Sequence, residues 1–151
     1  ATPFQEGFRD HINHHIKFRE DFRPFAPAAL KKDARIYFEE GWDSPHMILV
    51  DLVRPEWREQ LSEVSHLDGS ARVQTVTPDW NRRFHGLLEH VKRATGHGLL
   101  LNTSFNKRGM PIVETPGDAI ALFKDCQLDT LVIGMNILTK NEPIAMGVRS
   151  K

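Results

Sequence analysis

Residues 99–106 read Leu-Leu-Leu-Asn-Thr-Ser-Phe-Asn, and they mark the point where an apolar run passes into a polar loop. The three leucines predict a central, buried strand, which the Gly- and Pro-containing stretch after it ends. One hydroxyl, that of Ser104, stands between the carboxamides of Asn102 and Asn106. Because open α/β sheets usually hold ligands where their strands end, we predict that this loop belongs to a ligand site.

Residues 16–27, Ile-Lys-Phe-Arg-Glu-Asp-Phe-Arg-Pro-Phe-Ala-Pro, concentrate basic side chains in a short segment. Pro24 and Pro27 oppose a helix, so the segment is predicted to be extended. Lys17 and Arg19 would then point the same way. Cations combined with the neutral donors of the 102–106 loop indicate a phosphate pocket.

Composition limits the classes of function. The 151 residues suit one core, and 20 basic residues against 20 acidic ones leave no net charge to attract a polyanion, so no nucleic-acid partner is expected. There is one cysteine, and no apolar run approaches the length of a membrane span or a signal peptide. We therefore expect a cytoplasmic protein without a membrane partner. Because the chain opens at Ala1 directly into helical periodicity, we also expect a fragment of a longer protein.

Helical and strand patterns alternate along the rest of the chain. The predicted order is a helix with apolar positions 4, 8, 12 and 16 that stops before Lys17, a helix over 28–38, a buried strand over 47–50, a strand over 72–76, a helix with apolar positions 84–91 that ends at 95–98, a helix from 115, and a last strand over 131–133. In the strand 72–76, Arg72, Gln74 and Val76 would share one face. The pattern predicts one α/β domain spanning 1–151.

Several strings, in the same order, resemble the C-terminal domain of the O-carbamoyltransferases of antibiotic and nodulation-factor biosynthesis. They are 13–27, Asp-Gly-Ser-Ala-Arg-Val-Gln at 68–74, Asn-Thr-Ser-Phe-Asn at 102–106, the turn 109–113, and Asp-Thr-Leu-Val-Ile-Gly at 129–134. That domain is YrdC-like and similar to threonylcarbamoyl-adenylate synthases, whose Lys-x-Arg and Ser-x-Asn pairs are matched by Lys17 with Arg19 and by Ser104 with Asn106. The resemblance implies a YrdC-like fold, which is a twisted mixed sheet flanked by helices, with a concave cationic pocket.

The resemblance also implies a two-step enzyme. The YrdC-like domain would use carbamoyl phosphate and ATP to form carbamoyl-adenylate, and a larger actin-like N-terminal domain would transfer the carbamoyl group to an acceptor hydroxyl. Mg²⁺ is expected to enter on the ATP phosphates without a metal site built from protein side chains. Family members carry a Gly-Pro-Arg-Ala-Leu-Gly loop just upstream, which these residues do not contain, so the chain alone is expected to perform at most a weak activation step.

The resemblance assigns roles to individual positions. The phosphate of carbamoyl phosphate would be held by catalytic residues, namely Lys17, Arg23, Arg72 and Ser104. Substrate or nucleotide would be bound by a second group, namely Arg19, His14, Asn102, Thr103 and Asn106. His14 is included because it is near Lys17 in the sequence.

Other interpretations remain open. A relative of the threonylcarbamoyl-adenylate synthases would depend on threonine and bicarbonate, and a non-catalytic phosphate- or nucleotide-binding domain would bind without turnover. The basic residues of 16–27 would alternatively pair with Glu20, Asp21 and Asp33 on a solvated surface. The polar residues of 102–106 would alternatively bond their own turn.

Two further side-chain patterns receive structural interpretations. His11 and His15 have metal-ligand spacing on a helix, but a third ligand at suitable spacing is missing, so no metal site is predicted. Cys126 lies on the apolar stripe of the last helix and is predicted to belong to the core.

Overall fold

The structure is a computed structural model that describes residues 1–20 and 23–140. The chain divides into two compact units, which are described separately. Unit 1 contains Ala1–His11 and, among the described residues, 20 and 23–103. Unit 2 contains Ile12–Arg19 and the described residues 104–140.

The first helix, α1 (Phe8–Ile12), begins in unit 1 and continues directly into a π-helical turn, Asn13–Lys17. The remaining elements of unit 1 are β1 (Ala26–Leu30), a 3-10 turn (Lys31–Asp33), α2 (Ala34–Tyr37), β2 (Val50–Leu52), 3-10 turns at Pro55–Trp57 and Ser62–Val64, β3 (Ser70–Arg72), β4 (Gln74–Val76), α3 (Pro78–Thr95) and β5 (Leu99–Asn102). Those of unit 2 are α4 (Pro116–Asp125), β6 (Thr130–Ile133) and β7 (Asn136–Thr139).

The main sheet of unit 1 has the order β4-β1-β5, in which β1 is parallel to β4 and antiparallel to β5. All five residues of β1 are buried, and Leu30 packs in one cluster with Val76 and with Leu88 of α3. The α/β class and the mixed sheet predicted from the sequence are confirmed. The prediction that strand 99–101 is central is wrong, because in the sheet formed by the described residues β5 lies at an edge and β1 at the centre.

A proline is tolerated inside β1 because of the hydrogen-bond register. Pro27 lies opposite Leu101, whose N–H donates instead to the carbonyl of Ala1 at 2.9 Å, so this antiparallel pair exchanges no hydrogen bonds. On the other edge, pairing with β4 begins only at Ala28. The missing N–H of Pro27 therefore removes no bond from either ladder.

The predicted helix over 28–38 is wrong for most of its length. Its first residues belong to β1, and only Ala34–Tyr37 forms an α-helix. Alanine, leucine and lysine have high helix propensity, but pairing on both edges and complete burial override it here.

Two predicted strands are also corrected. The strand over 47–50 is displaced to Val50–Leu52, because Met47 has a left-handed backbone (φ 57°) and Ile48 is 76% exposed. The strand over 72–76 is split at Val73, so that β3 pairs with β2 while β4 pairs with β1. Arg72 and Gln74 consequently lie in two different sheets and share no face.

Unit 2 follows its local sequence signals closely. Thr115 caps α4 with a reciprocal capping box, in which its hydroxyl accepts from the Asp118 N–H and the Asp118 carboxylate accepts from the Thr115 N–H. β6 contains the predicted strand 131–133 and pairs with β7 in a hairpin that the sequence patterns did not predict. Cys126, just after α4, is buried as predicted. Among the described residues, no helix combines the length and apolar character that crossing a membrane requires.

Gly98 is a close-packed position of unit 1 that a single substitution can test. A Cβ at residue 98 would lie 2.6 Å from Leu30 Cδ1 and 3.0 Å from Asp33 Oδ2, and that carboxylate is held by Lys92 at 2.8 Å. Gly98→Ala is therefore expected to lower the free energy of unfolding by about 1–3 kcal/mol, measured by urea denaturation.

Gly86→Ala is the matched control, because Gly86 lies inside α3 and a Cβ there meets nothing within 4 Å. It should raise stability by about 0.5–1 kcal/mol through helix propensity. Equal or greater stability of Gly98→Ala relative to the wild type would contradict the close approach.

Candidate functional site

Lys17 is the last residue of the π-helical turn, and Phe18 after it has a left-handed backbone with φ 51°. The prediction that Lys17 and Arg19 share an extended segment and point the same way is therefore wrong. Proline restricts only its own φ and the residue before it, so Pro24 leaves residue 17 free to be helical.

The ammonium of Lys17 is enclosed by the loop that follows β5. Lys17 is 4% exposed, and its Nζ donates to the Ser104 carbonyl and to Asn106 Oδ1, both at 2.7 Å. A third and weaker contact joins Nζ to Ser104 Oγ at 3.4 Å. The structure thus brings Lys17 into contact with Ser104 and Asn106, which are 87 and 89 positions further along the sequence. We call these three residues the Lys17 cluster.

Hydrogen bonds inside the loop fix the shape of the Lys17 cluster. Ser104 Oγ donates to Asn106 Oδ1 at 2.6 Å, and Asn106 Nδ2 donates to the Met110 carbonyl at 2.9 Å. The Arg108 N–H donates to the Lys17 carbonyl at 2.9 Å, which ties the loop to the end of the helical turn. Asn106 therefore bonds its own turn and the ammonium at the same time.

The neighbours of Lys17 are placed differently. Arg19 Nε donates to Oδ1 of the fully buried Asn13 at 2.8 Å, and its backbone N–H donates to the carbonyl of the same residue at 3.0 Å. Arg19 is thus held by an amide at the start of the turn that ends in Lys17. His14 lies in the same turn and is exposed.

In unit 1, Asn102 and Gln74 form a second polar pair. Asn102 Nδ2 donates to Gln74 Oε1 at 2.7 Å, and Gln74 Nε2 donates to the Pro45 carbonyl at 2.9 Å. Thr103 follows, half-buried. Gln74 was not among the predicted site residues, although it stands in the string 68–74 that also contains Arg72.

The two arginines predicted to hold phosphate also lie in unit 1. Arg72 ends β3 opposite Val50, and both residues are exposed. Arg23 is exposed, and its guanidinium lies 3.8 Å from the Glu20 carboxylate. This is the solvent-exposed ion pair expected from the sequence as an alternative to phosphate binding. Asp33, another acid considered there, binds Lys92 instead.

The donors gathered at the Lys17 cluster are an ammonium, a hydroxyl and an amide. All three already bond within the cluster or its loop, so an anion would bind there by displacing a contact of the ammonium. Among the residues that the structure describes, no three or more His, Cys, Asp or Glu side chains are grouped so that they could hold a metal ion.

The burial of Lys17 gives a measurable prediction. Lys17→Met keeps much of the aliphatic stem but leaves the Ser104 carbonyl and Asn106 Oδ1 without their charged donor. We expect the free energy of unfolding to fall by about 1–3 kcal/mol and amide exchange to accelerate across 104–110. The control is Lys124→Met, at an exposed position of α4, which should change stability by less than about 0.5 kcal/mol. Indistinguishable stabilities and exchange rates for the two variants would rule out the structural role of the ammonium.

Comparisons with known proteins agree on one family. Residues 1–140 match the family described as Carbamoyltransferase C-terminus. The chain is 40% identical over 143 residues to nodulation protein NolNO of Sinorhizobium fredii, covering 93% of this chain and 21% of that protein. It is 41% identical over 143 residues to nodulation protein NolO of Bradyrhizobium diazoefficiens, covering 93% and 26%.

It is also 36% identical over 134 residues to 3'-hydroxymethylcephem-O-carbamoyltransferase of Streptomyces clavuligerus, covering 89% of this chain and 25% of that enzyme. The chain thus spans about a quarter of the length of these relatives. With the family matched over most of its length, this chain belongs to the carbamoyltransferase C-terminal family.

Proposed function

We propose that this domain binds carbamoyl phosphate and ATP and forms carbamoyl-adenylate, the activation step of carbamoyl transfer to a hydroxyl group. The observation that carries the proposal is the buried Lys17 ammonium, oriented by Ser104 and Asn106 within unit 2. A relative named as an O-carbamoyltransferase supports the reaction class.

The proposed chemistry moves negative charge between phosphate oxygens. Water hydrolyses carbamoyl phosphate to inorganic phosphate and carbamate, an oxygen of the carbamate then attacks the α-phosphorus of ATP, and pyrophosphate departs. Preorganised cations stabilise such developing charge more effectively than a general base, and removing one donor of this kind costs about 2–4 kcal/mol in the transition state.

Burial makes Lys17 suitable for this role. An ammonium shielded from water is less screened than one at the surface, so its attraction for a phosphate oxygen is stronger. Its 3.4 Å contact with Ser104 Oγ is the weakest of the three contacts, and a phosphate oxygen would compete with it on favourable terms. The two 2.7 Å bonds would meanwhile keep the ammonium in place.

Arg23 and Arg72 enter the proposal through the family resemblance. A guanidinium binds phosphate through two parallel hydrogen bonds, whereas lysine acts as a point charge. The exposed pair of Arg23 with Glu20 has little intrinsic strength, so a phosphate dianion would replace the carboxylate readily.

Neutral donors would complete recognition. We propose that the amides of Asn102 and Asn106 bind the carbamoyl group or the nucleotide, with Gln74 orienting Asn102. Arg19 and Thr103 are proposed as further binding residues on the resemblance alone, and His14 because it is near Lys17 in the sequence. Mg²⁺ would arrive on the ATP phosphates, because the donors at the Lys17 cluster suit an anion and not a divalent cation.

A second domain would complete the reaction. The relatives are about four times longer than this chain, which leaves room for a larger domain in each of them. We propose that an actin-like N-terminal domain receives the carbamoyl-adenylate and transfers its carbamoyl group to the acceptor.

Pyrophosphate release tests the activation step. With MgATP, pyrophosphate release should require carbamoyl phosphate, and an upstream extension carrying the arginine loop should raise the rate of release.

Arg23→Ala and Arg72→Ala should each weaken carbamoyl phosphate binding by about 10- to 100-fold, equivalent to about 1.5–3 kcal/mol for a charged hydrogen-bonded contact.

The matched control is Arg82→Ala, which removes an exposed arginine of α3 and should leave carbamoyl phosphate binding unchanged.

Carbamoyl transfer to a hydroxyl should appear only when the larger domain is present. Phosphate binding without pyrophosphate release, even with the extension and the larger domain, would favour a non-catalytic binding domain. Unchanged affinity in both arginine variants would remove these residues from the site.

Ser104 is expected to anchor the phosphate and not to form a covalent intermediate. Its hydroxyl donates to an amide oxygen, which is no general base, and the ammonium beside it has no lone pair with which to accept the proton. Mass spectrometry after incubation with carbamoyl phosphate should therefore find no modified Ser104 peptide, while Ser104→Ala should weaken binding. A carbamoylated Ser104 that turns over with ATP would replace this assignment with a nucleophilic one.

A further inference from the structure

Unit 1 contains a cleft of about 370 Å³ that none of the residues proposed for carbamoyl activation lines. Its polar lining consists of Arg9, Arg58, Ser62, Ser65, His66 and Asp68. We propose that this cleft binds the phosphoryl group of a small phosphorylated molecule, at a site made of different residues from the Lys17 cluster.

Arg58 is held in the cleft by the backbone around it. Its Nε donates to the Val53 carbonyl at 3.2 Å, and its guanidinium lies directly over Gly69. A Cβ on residue 69 would stand 3.3 Å from Nε and 3.5 Å from Cζ, and Gly69 has φ +81°. Within the described part of the chain, the two terminal nitrogens of Arg58 make no hydrogen bond or ion pair. This guanidinium is therefore oriented, with donors left to bind a ligand.

Arg9 supplies a second tethered guanidinium. Its backbone N–H donates to the carboxylate of Glu63, a buried residue that also accepts from the Gly7 N–H. Its Nη1 donates to the Ser62 carbonyl at 3.3 Å, and its Nε is 3.6 Å from the Asp10 carboxylate. The Arg9 side chain is thus anchored to the same short turn, Ser62–Val64, that borders the cleft.

Neutral donors follow the two arginines in the sequence of the lining. Among the described residues, the hydroxyls of Ser62 and Ser65 and the ring of His66 make no hydrogen bonds. The turn that carries His66 is closed by its own backbone, with the His66 N–H donating to the Ser70 carbonyl at 2.7 Å. These donors are therefore presented on a fixed backbone.

Arginines outnumber carboxylates in the lining of this cleft. The lining contains the guanidiniums of Arg9 and Arg58 and one carboxylate, that of Asp68, while the carboxylates of Asp10 and Glu63 that contact Arg9 lie outside it. One oxygen of Asp68 is already occupied by the Ser70 N–H at 2.9 Å. Two guanidiniums and two hydroxyls offer more donors than a carboxylate accepts well, and they suit the three terminal oxygens of a phosphoryl group.

Inorganic pyrophosphate, followed by backbone amide NMR of the whole chain, tests the proposal. We expect saturable shifts of the amides of 62–69, and Arg58→Gln should weaken this binding by tenfold or more. Arg9→Gln should weaken it by several-fold. The control is Arg54→Gln, because Arg54 pairs with Glu56 outside the cleft lining and should change the affinity by less than twofold.

Arg23→Ala should leave the 62–69 shifts unaltered, which separates this proposal from the proposed activation site. Shifts of 62–69 that persist in both Arg58→Gln and Arg9→Gln would overturn it, as would the same shifts in NaCl at equal ionic strength. Pyrophosphate shifts confined to 12–19 and 104–110 would also overturn it while leaving the activation proposal intact.

Discussion

A buried ammonium must be hydrogen-bonded, and this requirement organises unit 2. Leaving the charge of Lys17 unsolvated and unpaired would cost several kcal/mol, so the segment that carries it and the 104–110 loop are coupled. The loop supplies the acceptors for the ammonium, which are the Ser104 carbonyl, the Ser104 hydroxyl and the amide oxygen of Asn106. The loop and the helical segment are therefore parts of one electrostatic arrangement, and the proposed chemistry uses the group on which that arrangement is centred.

Unit 1 depends on a different constraint, the complete burial of β1 between two strands. Its apolar residues bring β4, β5 and α3 onto one core, and the register places Gln74 opposite Ala28 and Asn102 opposite Ala26. The polar pair at the sheet end is a consequence of this pairing. Precise placement of such donors by strands is what a binding site needs, because loops hold geometry less rigidly.

The sequence predicts correctly those elements that are determined by residues close together in the chain. The capping box of α4, the left-handed end of α3 at Gly96 and the leucines of β5 are each specified within a few residues. Residues 28–30 of β1 favour a helix by their local sequence, and what makes them a strand is pairing with residues far away in the sequence. The family motifs single out Lys17, Ser104 and Asn106, which the structure brings into contact, whereas contacts across 87 residues cannot be derived from periodicity. The hydrogen bond between Gln74 and Asn102 was not predicted, for the same reason.

The alanines of β1 have a consequence for how the sheet is built. β4 and β5 are not neighbours, yet the side chains of Gln74 and Asn102 meet at 2.7 Å across the strand between them. Ala26 and Ala28, their partners on β1, leave the space through which this bridge passes. Valine or isoleucine would favour the strand but fill that space. The alanines of β1, which favour a helix by their local sequence, thus leave room for side chains of β4 and β5 to hydrogen-bond to each other across β1.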